Sequence, residues 1–261
     1  MKKESCNDHA VNTVPVVEVQ DAVKVYKKHR KEFRALDGVS LHVQKGEILG
    51  IVGESGSGKS TILKHIICLE KLTSGKLFLN GDEYTGSKPR HICRHMQMIF
   101  QDAVGSFDPQ MKISKAFKEI YPLIGHCDDK QSHVEEIVKN VGLTPELMEK
   151  YPNQLSGGQC QRMAIAKALS IKPEVLLCDE ITSALDVSVQ AQIIRLLHEL
   201  KAHLGLTMIF VSHDLALVSS ICDRIMVLKN GKCVEEGNAR QIIEDPREEY
   251  TKNLLGSVLR I

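Results

Sequence analysis

The 261 residues are 43% hydrophobic and 26% charged, the balance of an ordinary soluble globular chain that can bury a sizeable core. The 34 basic and 33 acidic residues leave a net charge of +1, so nucleic acid gains no electrostatic hold on it. No uncharged apolar run reaches the roughly 18 residues that cross a membrane, and no signal-peptide pattern opens the chain.

Residues 1–13 read as a disordered lead-in. From Val14 the valines at 16, 17, 19, 23 and 25 predict a strand ending at Tyr26, followed by a basic stretch, Lys27-Lys28-His29-Arg30-Lys31, read as a solvated loop. Residues 36–43 alternate at period two, as an antiparallel strand with one buried face does. The apolar run Ile48-Leu49-Gly50-Ile51-Val52 predicts a buried strand, and residues 62–67 a helix. Further strands are expected over residues 76–81 and 96–100. Between about 102 and 172 strand-like runs give way to helical patterns, which reads as a helical subdomain inserted into an α/β core. Strands resume at 174–178 and 207–211 around a helix at 188–203, and a hairpin turns on Asn230-Gly231. The eight cysteines stand singly, with no C-x-x-C pair, as reduced cytosolic thiols do.

Between the strand at 48–52 and the helix lies Gly53-Glu54-Ser55-Gly56-Ser57-Gly58-Lys59-Ser60-Thr61, the phosphate-loop pattern G-x-x-x-x-G-K-[ST]. A chain wrapping a phosphate must turn successive N–H groups inward, which glycine does cheaply, and the following helix adds its positive end. Lys59 is expected to reach the β- and γ-phosphates, Ser60 to ligate Mg²⁺, and Thr61 to cap an α-phosphate oxygen. The competing account, a glycine-rich turn with an incidental lysine, leaves the flanking strand and helix unexplained.

The run 175–178 delivers Asp179-Glu180 at the same sheet edge, where Asp179 can hold Mg²⁺ directly or through water. Glu180 can orient or deprotonate a water for attack on the γ-phosphate. Leu155-Ser156-Gly157-Gly158-Gln159 opens a helix with a hydroxyl and free N–H groups, a second anion site or simply a well-capped helix.

Residues 53–61, 155–159 and 175–180 together resemble the ATPase subunit of an ABC (ATP-binding cassette) transporter, and the resemblance runs from about residue 16 to 237. It implies an α/β P-loop NTPase core with an antiparallel β subdomain and the inserted helical subdomain, one nucleotide-binding domain over 14–261. It further implies that Gln101 contacts Mg²⁺ and the attacking water and relays nucleotide state to the helical subdomain. Ser183-Ala184-Leu185-Asp186 matches the D-loop, His213 the histidine at the γ-phosphate, and Tyr26 the aromatic that stacks on adenine, with Phe33 in reserve. Two such cassettes enclose two ATP molecules head to tail, each phosphate loop facing the other chain's Ser156, Gly157, Gly158 and Gln159.

The stretches Phe100-Gln101-Asp102-Ala103, Tyr151-Pro152-Asn153-Gln154 and Leu185-Asp186-Val187-Ser188 are similar to importers for peptides and nickel, as is the tail Tyr250-Thr251-Lys252-Asn253. Ending at Ile261 leans toward the nickel or metal-chelate members. Ile181, Ala103 and Cys160 depart from the usual proline, proline and arginine. The resemblance implies a peripheral protein on the cytoplasmic face of the cell (inner) membrane. Its partners are two permeases, a second ATPase subunit (identical or a sister) and, indirectly, an extracytoplasmic binding protein. The alternative is a soluble non-transport ATPase of DNA-repair or chromosome-organising type. His91-Ile92-Cys93-Arg94-His95 is expected to be surface helix rather than a metal site, since no carboxylate flanks it in the sequence.

Overall fold

A computed structural model describes residues 14–28, 31–86 and 89–258. Two sheets divide the strands. The first, ordered β2-β1-β4-β5, is antiparallel and made of β1 (Val17–Lys28), β2 (Lys31–Val43), β4 (Ser74–Leu79) and β5 (Asp82–Glu83). The second is ordered β10-β9-β3-β8-β7-β6. It holds β3 (Ile48–Val52), β6 (Met96–Ile99), β7 (Val175–Asp179), β8 (Thr207–Val211), β9 (Arg224–Lys229) and β10 (Lys232–Asn238). All its neighbours run parallel except the edge hairpin β9–β10.

Strands β3, β7 and β8 are buried at every position, which is why they read as continuous apolar runs. Their side chains still alternate. Ile48, Leu176, Met208 and Ile225 enter one core, while Leu49, Leu177, Ile209 and Met226 enter the other. The second core also takes α1 (Lys59–Ile66) and the inner face of the antiparallel sheet, so α1 lies between the sheets. The first core takes α5 (Gly157–Leu169), α6 (Val187–Leu204) and α7 (Leu215–Ile221).

Between β6 and β7 come α3 (Ile113–Glu119), α4 (Lys130–Asn140), two short 3₁₀ turns and α5, with no strand among the described residues. The remaining helices are α2 (Pro89–Ile92), α8 (Ala239–Glu244) and α9 (Glu249–Val258).

The structure corrects several local readings. Lys27 and Lys28 continue β1 and Lys31 opens β2, so they belong to a long two-stranded ribbon rather than a loop. A ribbon edge in solvent accepts charged side chains as readily as a loop does, which hides it in the sequence. His29 and Arg30, like the lead-in 1–13, lie outside the described residues. Helix α2 stops at Ile92, short of His95. A carboxylate does reach that cluster: Glu174 Oε1 bonds His95 Nδ1 at 2.6 Å, from far along the chain. Among the described residues no group of three His, Cys, Asp or Glu is placed to hold a metal.

Candidate functional site

The site forms at the carboxyl ends of four parallel strands. Beyond Val52 the chain turns through Gly53, Gly56 and Gly58 at φ of 151°, 80° and 109°, conformations open to glycine. A Cβ on Gly53 would stand 2.2 Å from the Leu228 carbonyl oxygen, and one on Gly58 2.6 Å from that of Ala35. Backbone therefore packs against backbone on the outer side of the loop, fixing its curvature. Gly231, in the β9–β10 turn, donates its N–H to the Ser57 carbonyl at 2.9 Å and braces the same side.

Lys59, 4% exposed, folds back so that its ammonium donates to the carbonyls of Gly53 at 2.8 Å and Glu54 at 2.9 Å. Burial pulls its pKa down, opposed by the carboxylates of Glu180 and Asp179. Ser60 Oγ donates to Asp179 Oδ1 at 2.8 Å. Burial pushes the Asp179 carboxyl up, the Ser60 hydrogen bond partly offsets this, and neighbouring Glu180 adds to the rise.

Glu180 stands just past β7 at φ 49°, its N–H donating to the Val211 carbonyl at 3.0 Å. This left-handed turn swings the side chain between two partners. Oε1 is 3.8 Å from Lys59 Nζ, and Oε2 is 3.5 Å from His213 Nδ1. His213, 61% exposed at its side chain, rides the turn from β8 into α7, whose start is capped by Asp214 accepting from Leu217 N–H. Gln101, beyond β6, donates from Nε2 to Ser183 Oγ at 3.2 Å, and Ser183 donates to the Glu180 carbonyl at 2.9 Å. Gln101 and Glu180 are thus joined through one serine.

The Ser156 region stands apart. Ser156 Oγ accepts from Gln159 N–H and Gln159 Oε1 accepts from Ser156 N–H, a reciprocal cap on α5. Ser156 is exposed, and a Cβ on Gly158 would come 2.8 Å from Val189 at the start of α6. Among the described residues no hydrogen bond or ion pair joins Ser156, Gly157, Gly158 or Gln159 to the loop 53–61 of the same chain.

Tyr26 lies near the end of β1 with its hydroxyl bonded to Glu70 and Lys24 Nζ 4.9 Å from its ring centroid. Burial first, then Glu70, raises its pKa to about 12, and a hydrogen bond with Thr61 opposes the rise. Phe33, the partner of Tyr26 across the ribbon, is 58% exposed. The three departures face inward: Ile181, Ala103 and Cys160 are all buried in the first core.

The donor set fits a nucleotide and a divalent cation. Ser57 Oγ is buried in the loop with no partner among the described residues. A hydroxyl and a carboxylate, hard oxygen donors, already converge at Ser60 and Asp179. Sequence reasoning misses one residue here. Tyr250 of α9 accepts the Glu54 N–H at 3.2 Å, a contact across 196 positions that no local pattern announces.

A strand, glycine loop and helix, with an Asp-Glu pair beside them on a parallel sheet, define a P-loop ATPase. The profile of the ABC transporter family matches residues 36–183. The chain is 43% identical over 249 residues to the oligopeptide transport ATP-binding protein OppF of Escherichia coli (strain K12), covering 92% of this chain and 74% of that one. With OppF of Bacillus subtilis (strain 168) it shares 41% over 253 residues, covering 94% and 83%. Among solved structures it resembles the dimeric ATP-binding cassette MJ0796 bound to ADP and Pi. There the TM-score is 0.76 at 31% identity, over 86% of this chain and 99% of that one. It also resembles cbiO1 of Clostridium perfringens, part of the ABC transporter complex cbiONQ, with TM-score 0.77 at 26% identity, over 95% and 96% of the two chains. The chain belongs to the ABC transporter family, as one of its ATP-binding and ATP-hydrolysing cassettes.

Proposed function

We propose that this cassette powers a peptide importer, working with a second cassette on separate membrane permeases at the cytoplasmic face of the cell membrane. The convergence of Lys59, Ser60, Asp179, Glu180 and His213 at one sheet edge carries the reading. The OppF relatives, by name oligopeptide transport proteins, support peptide over nickel or metal chelate as cargo. The soluble, non-transport alternative finds no support among those names. No helix among the described residues is long and apolar enough to cross a membrane, which agrees with permeases supplied by other chains.

In this reading the N–H groups of residues 58–61, where the loop enters α1, cradle the phosphates. Lys59, kept in the grip of the Gly53 and Glu54 carbonyls, turns its remaining N–H toward the β- and γ-phosphate oxygens. Ser60, Asp179 and Gln101 would hold Mg²⁺, which when bound would supply positive charge to the phosphates. Glu180 orients a water and takes its proton as the water attacks in line, while His213 hydrogen-bonds a γ-phosphate oxygen. Thr61 caps an α-phosphate oxygen and Tyr26 packs against adenine. Ser156, Gly157, Gly158 and Gln159 make no hydrogen bond or ion pair to their own loop among the described residues, and they serve the ATP held by the second cassette. Gln101, linked to Glu180 through Ser183, reports the γ-phosphate to the helical segment before α5. ATP then closes the pair and phosphate release reopens it, moving the permeases.

The test is ATP binding by purified Lys59→Ala, measured by calorimetry. Loss of binding is expected. Unchanged affinity would remove the phosphate loop from the account.

A further inference from the structure

We infer that Tyr250 is a positioning residue for Lys59, acting from the C-terminal helix through a single peptide group of the phosphate loop. The inference rests on the reading of residues 53–61 as the phosphate site.

The peptide joining Gly53 to Glu54 is held at both poles. Its carbonyl oxygen accepts from Lys59 Nζ at 2.8 Å, and its N–H donates to the Tyr250 hydroxyl at 3.2 Å. The Glu54 carbonyl accepts from the same ammonium at 2.9 Å. Lys59 is therefore aimed by two carbonyls that flank Glu54, and the orientation of the first is set by what grips Glu54 N–H. Gly53 has no side chain to resist rotation of that peptide, and its φ of 151° lies where other residues rarely go. Without the Tyr250 grip one pole of that peptide is released, and the aim of the lysine loosens.

Tyr250 is itself anchored on two sides. Lys229 Nζ, at the end of β9, sits 4.4 Å from the ring centroid. The start of α9 is fastened by Glu235 on β10, whose carboxylate is buried and accepts the N–H groups of Arg247 at 2.8 Å and Glu248 at 3.1 Å. A rigid path thus runs from the β9–β10 hairpin through α9 to the loop. The edge hairpin and the C-terminal helix, remote from the loop in sequence, become part of the nucleotide site.

The test compares Tyr250→Phe, which keeps the ring beneath Lys229 and loses the hydroxyl, with Lys229→Met, which keeps the hydroxyl. For Tyr250→Phe, Kd and KM for ATP should rise about fivefold, the worth of one net hydrogen bond, with kcat at saturation little changed. Amide exchange of the loop peptide containing Glu54 should quicken in Tyr250→Phe and by less in Lys229→Met, which removes one anchor of the ring but keeps the hydroxyl, a readout independent of turnover. Unchanged affinity and exchange in Tyr250→Phe overturn the inference. So does an equal fall in kcat, ATP affinity and melting temperature, which marks a merely structural role. The Lys59→Ala variant separates the two failures. If it loses ATP binding while Tyr250→Phe keeps parental affinity, the Tyr250 assignment alone falls. If it binds ATP normally, the loop reading falls and this inference with it.

Discussion

The Ser60 hydroxyl and the Asp179 carboxylate, 119 positions apart in the chain, meet at 2.8 Å. Ser60 belongs to the first turn of α1 and Asp179 closes β7, with β8 standing between β7 and the strand that feeds the loop. Parallel strands bring both to one edge, because each ends at the same level of the sheet. The carboxylate is buried beside a second acid, so its charge is poorly solvated until a cation arrives.

Asp179→Asn should therefore raise the melting temperature of the nucleotide-free protein while abolishing Mg²⁺-dependent hydrolysis. The sign follows from the raised pKa. Between the ordinary value of 3.8 and the higher folded value, the folded chain binds more protons than the unfolded one, so the parent loses stability as pH rises. The variant escapes that loss, and its advantage should widen across this window and persist at neutral pH. Thermal unfolding over a pH series checks it; a variant less stable than the parent at every pH would contradict the electrostatic argument.

Glu180→Gln keeps the shape of the side chain between Lys59 and His213 but removes the base. Turnover should fall by about 10²–10⁴-fold with ATP affinity retained. ATP should then hold two chains together, visible in light scattering as a doubling of mass. Rapid turnover in this variant would take the base role from Glu180.

Gly53→Ala meets both a positive φ and the Leu228 carbonyl oxygen at 2.2 Å, a backbone atom in the interior strand β9 that has no room to yield. Its cost should exceed about 2 kcal/mol, with ATP binding impaired alongside. Gly56→Ala, also at positive φ but with nothing within 4 Å, should cost only about 1 kcal/mol. Denaturant unfolding of the pair distinguishes them, and equal costs would show that the close approach at Gly53 is unimportant.

How much of this is legible in the sequence depends on range. The loop at 53–61 can be read because its constraint is local: a strand, a glycine turn and a helix in succession. Asp179 and Glu180 can be read because a wholly buried parallel strand writes itself as an apolar run ending in acids. The left-handed turn at Glu180, which sends its carboxylate between Lys59 and His213, carries no glycine to announce it. The ribbon through Lys27, Lys28 and Lys31 hides behind its charges. Glu174 beside His95 and Tyr250 beside Glu54 are invisible, because both contacts are made by tertiary packing between distant segments.

We propose that this chain's Ser156 region completes an ATP site whose phosphate loop belongs to another cassette. Ser156→Phe tests it most directly, with ATP binding and hydrolysis measured on the same preparation. ATP should bind at parental affinity, since among the described residues no hydrogen bond or ion pair joins Ser156 to its own loop, while turnover is lost. Parental turnover in Ser156→Phe would contradict it.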